Sequence, residues 1–358
     1  MKVLLTGGAG FIGRVVHDQL AAAGDTIQVF DRILDRRDDI IDHDRLAAAA
    51  SGCNALIHLA AKVGLGVNIG DIDEYALHND YGTAMALRVA AEVGISRFVY
   101  ASSMVVYGEG RYRCANHGSV RPPPRRRDDL DAGRFDPRCP LCDADLLPEL
   151  VQESAHLDPR NSYAATKVHG EQLAGIWSRE TGGTVPALRL HNVYGPEMPR
   201  DTPYAGVAAI FADSLLRGDP PRVFEDGCQR RNFIHVSDVA AAVLAALQAQ
   251  LPAQLTPLNI GTPWVMTVGE MATELSRVLG GPTPIVTGEY RLGDVRHITA
   301  DCSAAERVLG WRAQIDLATG LADLAASMAA RATIAADKSA LGRVRGRGRA
   351  SPGHGRLG

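Results

Sequence analysis

A chain of 358 residues, 46% apolar and 22% charged, is long enough to bury a large core, as one domain or as two that share it. Its formal net charge of -3 argues against a polyanion as the main partner, so no nucleic-acid function is expected. No apolar run approaches the ~20 residues of a membrane helix. Six cysteines in so long a chain do not form a disulfide scaffold, and the expected compartment is a reducing cytoplasm.

The first hundred residues alternate short apolar runs with stretches of helical period. Strands are predicted at Val3–Thr6, Thr26–Asp31, Asn54–Leu59 and Arg97–Ser102, and helices at Phe11–Ala23, Asp44–Ala50 and Asp73–Val93. Such alternation implies crossover units and a parallel sheet covered on both faces. Residues 108–159 break the rhythm with Pro122-Pro123-Pro124, Arg125-Arg126-Arg127 and clustered cysteines, and read as an insertion. Regular pattern resumes with a helix at Ser162–Glu180 and a strand at Val185–His191. Further helices follow at Gly206–Arg217, Val236–Ala249 and Val268–Leu279. The expected organisation is a dinucleotide-binding domain over 1–190, rejoined by about 232–260, and a smaller substrate lobe over 191–334. A Gly/Arg-rich tail at 335–358 is expected to be disordered.

Gly7-Gly8-Ala9-Gly10-Phe11-Ile12-Gly13 joins the first strand to the first helix. Glycine at 7 suits a tight turn, at 10 a close approach of backbone to pyrophosphate, and at 13 close helix–strand packing. The helix start offers free N–H groups and a positive dipole end to phosphates. Asp31 ends the second strand about 20 residues on, where a carboxylate accepts from ribose hydroxyls and repels a 2′-phosphate. NAD is therefore favoured over NADP, with Arg32 as the one neighbour that weakens the preference.

Ser162-Tyr163-Ala164-Ala165-Thr166-Lys167 sets a phenol and an amine four residues apart on one helical face. An ammonium there is expected to lower the phenol's pKa from ~10, so that it can take a proton from a sugar hydroxyl. Ser103 follows the fourth strand, at the sheet end where ligands gather, and can hold the reacting oxygen.

Together these residues resemble the extended short-chain dehydrogenase/reductase family, in particular its nucleotide-sugar epimerases and dehydratases. The resemblance implies a doubly wound Rossmann sheet with a smaller C-terminal lobe and spans residues 1 to about 330. It extends to Asp39-Ile40, expected near adenine, and to Leu59-Ala60-Ala61 and Asn79, expected along the cofactor. It also covers Arg189–Pro196, Arg231–Val236 and Gly293–Arg296, and implies that Asn192, Arg231 and Arg296 hold a nucleotide diphosphate. Asn232 departs from the family's usual Asp. Dehydratases and decarboxylases of the family carry acidic groups shortly after the position of Ser103; here Met104-Val105 can move no proton, which favours epimerisation at C4. A homodimer through the helices 73–93 and 162–180 is a further implication.

Within the insertion, Cys114-Ala115-Asn116-His117 and Cys139-Pro140-Leu141-Cys142 have the spacing of a tetrahedral structural zinc site. The insertion is expected to be zinc-ribbon-like and looks like that of the dTDP-L-rhamnose 4-epimerase group of the family. Pro203–Phe211 matches the same group, which points to a dTDP-6-deoxyhexose substrate. Two rival readings share the fold: a keto-sugar reductase with net nicotinamide turnover, and a non-catalytic dinucleotide sensor.

Overall fold

The computed structural model describes residues 1–64, 69–199 and 206–330. The tail expected at 335–358, the arginine run at 343–349 and residues 203–205 lie outside the described residues.

Six strands build one sheet: β1 (Lys2–Thr6), β2 (Thr26–Phe30), β3 (Ala55–His58), β4 (Phe98–Ser103), β5 (Val185–Leu190) and β6 (Leu255–Ile260). Their order is β6-β5-β4-β3-β1-β2, and every pairing is parallel. Successive side chains point to opposite faces, so each apolar run feeds two cores. Val3, Leu5, Ile57, Val99 and Leu188 pack on one face against Val16 and Leu20 of the helix Phe11–Ala22 and Val239 and Val243 of the helix Val236–Gln248. Leu4, Leu56, Phe98, Tyr100 and Ala187 pack on the other against Leu46, Met85, Ala90 and Trp177. Each fully buried leucine stabilises the fold by about 1.5–3 kcal/mol relative to exposure.

From β1 the chain crosses to β2 on one side, then returns past β1 to β3 on the other. A crevice opens where the direction reverses, beyond the carboxyl ends of β1 and β3. Gly7 and Leu59-Ala60-Ala61 follow those two ends. The sixth strand carries no strong signal in the sequence because Pro257 interrupts it. Proline is tolerated because β6 is the sheet's edge, where no ladder donor is needed on its outer side.

The single helix expected over 73–93 is helical throughout Ile72–Glu92 but not uniform. A π-helical turn, Ala76–Tyr81, separates Ile72–Tyr75 from Gly82–Glu92. The widened turn carries Asn79, whose buried carboxamide accepts from Lys62 N at 2.7 Å and donates to Lys62 O at 2.9 Å and Thr166 Oγ1 at 3.0 Å.

The smaller lobe gathers around Phe211, Leu215, Met271, Leu275, Leu321 and Leu324. Its helix Val268–Leu279 starts on a capping box: Thr267 Oγ1 accepts from Glu270 N at 3.0 Å, and Glu270 accepts from Thr267 N at 2.6 Å. The insertion forms its own antiparallel sheet, with Arg111–Cys114 between Gly118–Val120 and Leu147–Glu149. Around that sheet Tyr112, Cys114, Cys139 and Leu146 form a small buried cluster.

Candidate active site

The crevice widens into a cleft of about 810 Å³. Gly7, Gly10, Phe11, Ile12, Gly13, Asp31, Arg32, Asp39, Ile40, Leu59, Ala60 and Ala61 line one end of it, and Ser103, Tyr163 and Lys167 the other. Two glycines make that wall possible. Gly7 sits at φ +73°, and a Cβ on Gly13 would lie 2.1 Å from the Gly7 oxygen. No side chain among the described residues caps the first turn of the helix Phe11–Ala22, which leaves its leading N–H groups to an anion. Asp31 ties the glycine turn to the second strand: Oδ2 accepts from Ala9 N at 2.9 Å and Oδ1 from Ile33 N at 2.8 Å. Arg32 reaches away to Asp39 at 3.3 Å.

Asn161 caps the helix Ser162–Thr181, its Oδ1 accepting from Ala164 N at 2.9 Å, and so fixes where Tyr163 enters the cleft. One turn on, Lys167 Nζ donates to Ala101 O at 2.7 Å and stands 5.8 Å from the Tyr163 ring centroid. Ser103, at the end of β4, lines the same cleft as Tyr163 and lowers the pKa of its phenol. All three expected catalytic residues therefore converge on one wall.

The electrostatics differ from expectation. Burial pushes the Tyr163 phenol up to about 12, opposed by the Ser103 hydroxyl, and burial holds the Lys167 amine down to about 8, opposed by the Glu171 carboxylate. The phenol is thus not acidified by its neighbours alone. Removal from water dominates at the phenol, and the nearby amine donates to a backbone carbonyl.

Other expected residues take up different positions. Asn79 does not line the cleft; it is buried and fastens the segment after β3 to the helix Ser162–Thr181. Asn192 starts the strand Asn192–Tyr194, and its Oδ1 is buried without a partner among the described residues. Arg231 donates to the carbonyls of Arg230, Arg296 and Val295 at 2.7–2.9 Å. Arg296 is only 1% exposed and is ringed by Asp136 (2.7 Å), Glu225 (2.8 Å) and Asp226 (2.7 Å). Arg231 and Arg296 do not line the cleft, and carboxylates, not an open anion site, surround Arg296. Asn232 braces the backbone of three segments. Its Nδ2 donates to Thr262 O and Trp264 O at 2.8 and 3.1 Å, and its Oδ1 accepts from Ala300 N at 2.7 Å. A carboxylate could not donate those first two bonds.

Sequence reasoning missed His78, Asp38, His191 and Met198, which also line the cleft. His191 stood inside a motif already singled out, but only its neighbours carried an expected role. Nothing in the local pattern marked Glu171, which the fold buries at 3% exposure beside the catalytic set.

In the insertion, the donor atoms of Cys114, His117, Cys139 and Cys142 all lie within 4.8 Å of one another. Cys114 Sγ is 3.6 Å from His117 Nδ1 and 3.7 Å from Cys142 Sγ, and Cys139 Sγ is 3.6 Å from His117 Nδ1. These three separations suit a tetrahedral ion held about 2.3 Å from sulfur, the zinc–thiolate distance.

Among the described residues no helix is long and apolar enough to cross a membrane. The NAD dependent epimerase/dehydratase family matches residues 3–138 and 144–261. A dTDP-L-rhamnose 4-epimerase of Burkholderia thailandensis is 32% identical over 345 residues, covering 90% of this chain and 93% of that protein. A UDP-glucose 4-epimerase of Thermotoga maritima, solved with UDP-glucose, superposes with a TM-score of 0.76 at 26% identity, over 93% of this chain and 100% of that one. MoeE5, solved with UDP-glucuronic acid and NAD, gives 0.74 at 27% identity over 92% and 100%. With the cleft, the glycine turn and the Ser103–Tyr163–Lys167 wall in place, the chain belongs to the NAD-dependent epimerase/dehydratase family of nucleotide-sugar enzymes.

Proposed function

We propose that this enzyme is a nucleotide-sugar 4-epimerase that uses NAD and acts on a dTDP-6-deoxyhexose such as dTDP-L-rhamnose. One observation carries the reading: Ser103, Tyr163 and Lys167 line the same cleft, while the following Met104 packs with Val106, Tyr107, Val151 and Ile298. Met104 and Val105 therefore place no acid or base directly after Ser103 for eliminating water. The residues fit a dinucleotide, since the glycine turn leaves room for pyrophosphate and Asp31 faces the cleft. When bound, the nicotinamide would supply reversible oxidation at C4, and its positive charge would favour the phenolate. Tyr163 takes the proton of the C4 hydroxyl and later returns it, Ser103 holds that oxygen, and Lys167 stabilises the phenolate. Rotation of the keto sugar between the two half-reactions inverts the centre.

The dTDP-rhamnose assignment draws on the 32% identical relative and on the insertion. For the diphosphate, Asn192 is the best supported of the three expected residues, because its buried carbonyl oxygen lacks a partner among the described residues. Arg231 could contribute its uncommitted N–H groups, whereas Arg296 would first have to leave its carboxylates. The four clustered donors of the insertion fit a closed structural zinc site, and metal analysis should find about one zinc per chain. A homodimer is proposed through the helices 72–92 and 162–181, where Ile72, Leu77, Tyr81 and Ile176 are exposed.

The test is to incubate the protein with NAD and dTDP-L-rhamnose and follow the sugar by proton NMR. The C4 epimer should appear until the two forms equilibrate, with no net change in nicotinamide absorbance. Stoichiometric formation of NADH would favour a dehydrogenase instead.

A further inference from the structure

Glu171 lies on the helix Ser162–Thr181, one turn beyond Lys167 and two beyond Tyr163, at 3% exposure. Its carboxylate is the hub of a buried network. Ser102 Oγ donates to Oε1 at 2.5 Å, Arg189 Nε donates to Oε1 at 2.9 Å, and Arg189 NH2 donates to Oε2 at 2.7 Å. Ser102 and Arg189 are register partners on β4 and β5. Arg189 continues through NH1 to Tyr107 Oη at 2.8 Å, and Tyr107 donates to Asn259 Oδ1 at 2.7 Å. A single carboxylate thus links the helix bearing Tyr163 and Lys167 to the residue just before Ser103.

The groups around Lys167 make that charge matter. His58 on β3, Tyr100 on β4 and Tyr163 on its own helix face it. His58 is held neutral by burial, and Asp80, farther along, is paired with His169 at 3.1 Å. Glu171, itself paired with Arg189, is the carboxylate that raises the pKa of the buried amine against burial. A bidentate guanidinium–carboxylate pair fixes geometry as well as charge.

We propose that Glu171 is a positioning residue, which sets the register of Ser103 against Tyr163 and Lys167 and keeps the buried lysine protonated. The proposal rests on Lys167 being a working group of the site, but its test needs no substrate. The chain has four lysines, Lys2, Lys62, Lys167 and Lys338, so lysine labelled with carbon-13 at Cε gives a resolvable spectrum, and Lys167→Arg assigns the signal. In the wild type this signal should titrate near 8. Glu171→Gln keeps the shape and removes the charge, and should lower the midpoint by about one pH unit or more. Glu171→Asp shortens the side chain but keeps the charge, and should recover at least about half of that shift. A Gln midpoint at the wild-type value, or a larger shift for Asp than for Gln, overturns the proposal. Should the Gln variant not fold, the Asp variant decides: a midpoint near wild type supports the charge role, and a fall of about one unit refutes it. A protein showing these midpoints yet converting no nucleotide sugar would sink the epimerase reading and leave this assignment standing.

Discussion

In the parallel sheet, Leu4, Leu5, Leu56 and Ile57 are wholly buried between two helical layers, whereas the core that the insertion's own small sheet gathers is Tyr112, Cys114, Cys139 and Leu146. The sheet side of the cleft rests on that apolar packing, with polar ties such as Asp31 to Ala9 and Glu171 to Arg189. The insertion is fastened to the rest of the protein by charge and by a short bridge: Arg125 meets Glu225 at 2.8 Å, Asp136 meets Arg296 at 2.7 Å, and its last strand precedes a bridge from Val151 to Ala300. A segment with a small core of its own offsets little of its chain entropy, so a metal staple would add much to it. The two regions should therefore fail under different insults.

Metal removal breaks the comparison most sharply. A structural zinc site is worth on the order of 10 kcal/mol of folding free energy. Chelation should open residues 111–149 to limited proteolysis while the far-ultraviolet signature of the sheet persists. Equal protection of both regions after chelation would mean that the ion pairs alone suffice.

Tyr163→Phe acts on the other region. It should lower turnover by about 10²- to 10⁴-fold, with NAD affinity kept, as isothermal titration and a kinetic assay would show. Losing one partner of a buried charge cluster comes next. Glu225 is 2% exposed and serves both Arg125 and Arg296, so Glu225→Ala should cost about 3–5 kcal/mol in denaturant unfolding. The proposed dimer face gives a finer probe: Leu77→Glu with Ile176→Glu should yield monomers in sedimentation without unfolding either lobe.

The smallest expected effect runs against intuition. The folded-state pKa of Lys167 is depressed, to about 8, below its ordinary value of 10.5. Between those two values the unfolded chain binds more protons, so this group's contribution makes stability rise with pH there. Below pH 8 the fold carries the full cost of the buried ammonium. Lys167→Met should abolish turnover yet stabilise the protein by on the order of 1–2 kcal/mol at pH 7, read from the melting curve. A destabilised Met variant would show that the bond to Ala101 outweighs the burial cost.

Much of the cleft was legible because its signals are local. The glycine turn, Asp31, and the four-residue spacing of Tyr163 and Lys167 each state a backbone geometry within a few residues. The hidden parts depend on residues far apart in sequence. Arg296 reads as an available cation until the fold brings Asp136, Glu225 and Asp226 around it. Glu171 reads as a surface glutamate until β5 delivers Arg189. The π-helical turn at Ala76–Tyr81 lies within one continuous helical stretch and shows in the backbone hydrogen bonding, not in the residue pattern.

The decisive measurement uses dTDP-L-rhamnose carrying deuterium at C4, turned over with catalytic amounts of enzyme and NAD. If Tyr163 carries the proton while the label leaves and returns within one closed site, the epimer should form with the deuterium retained at C4 and no NADH released. Label lost to solvent or delivered to free nicotinamide would contradict the account.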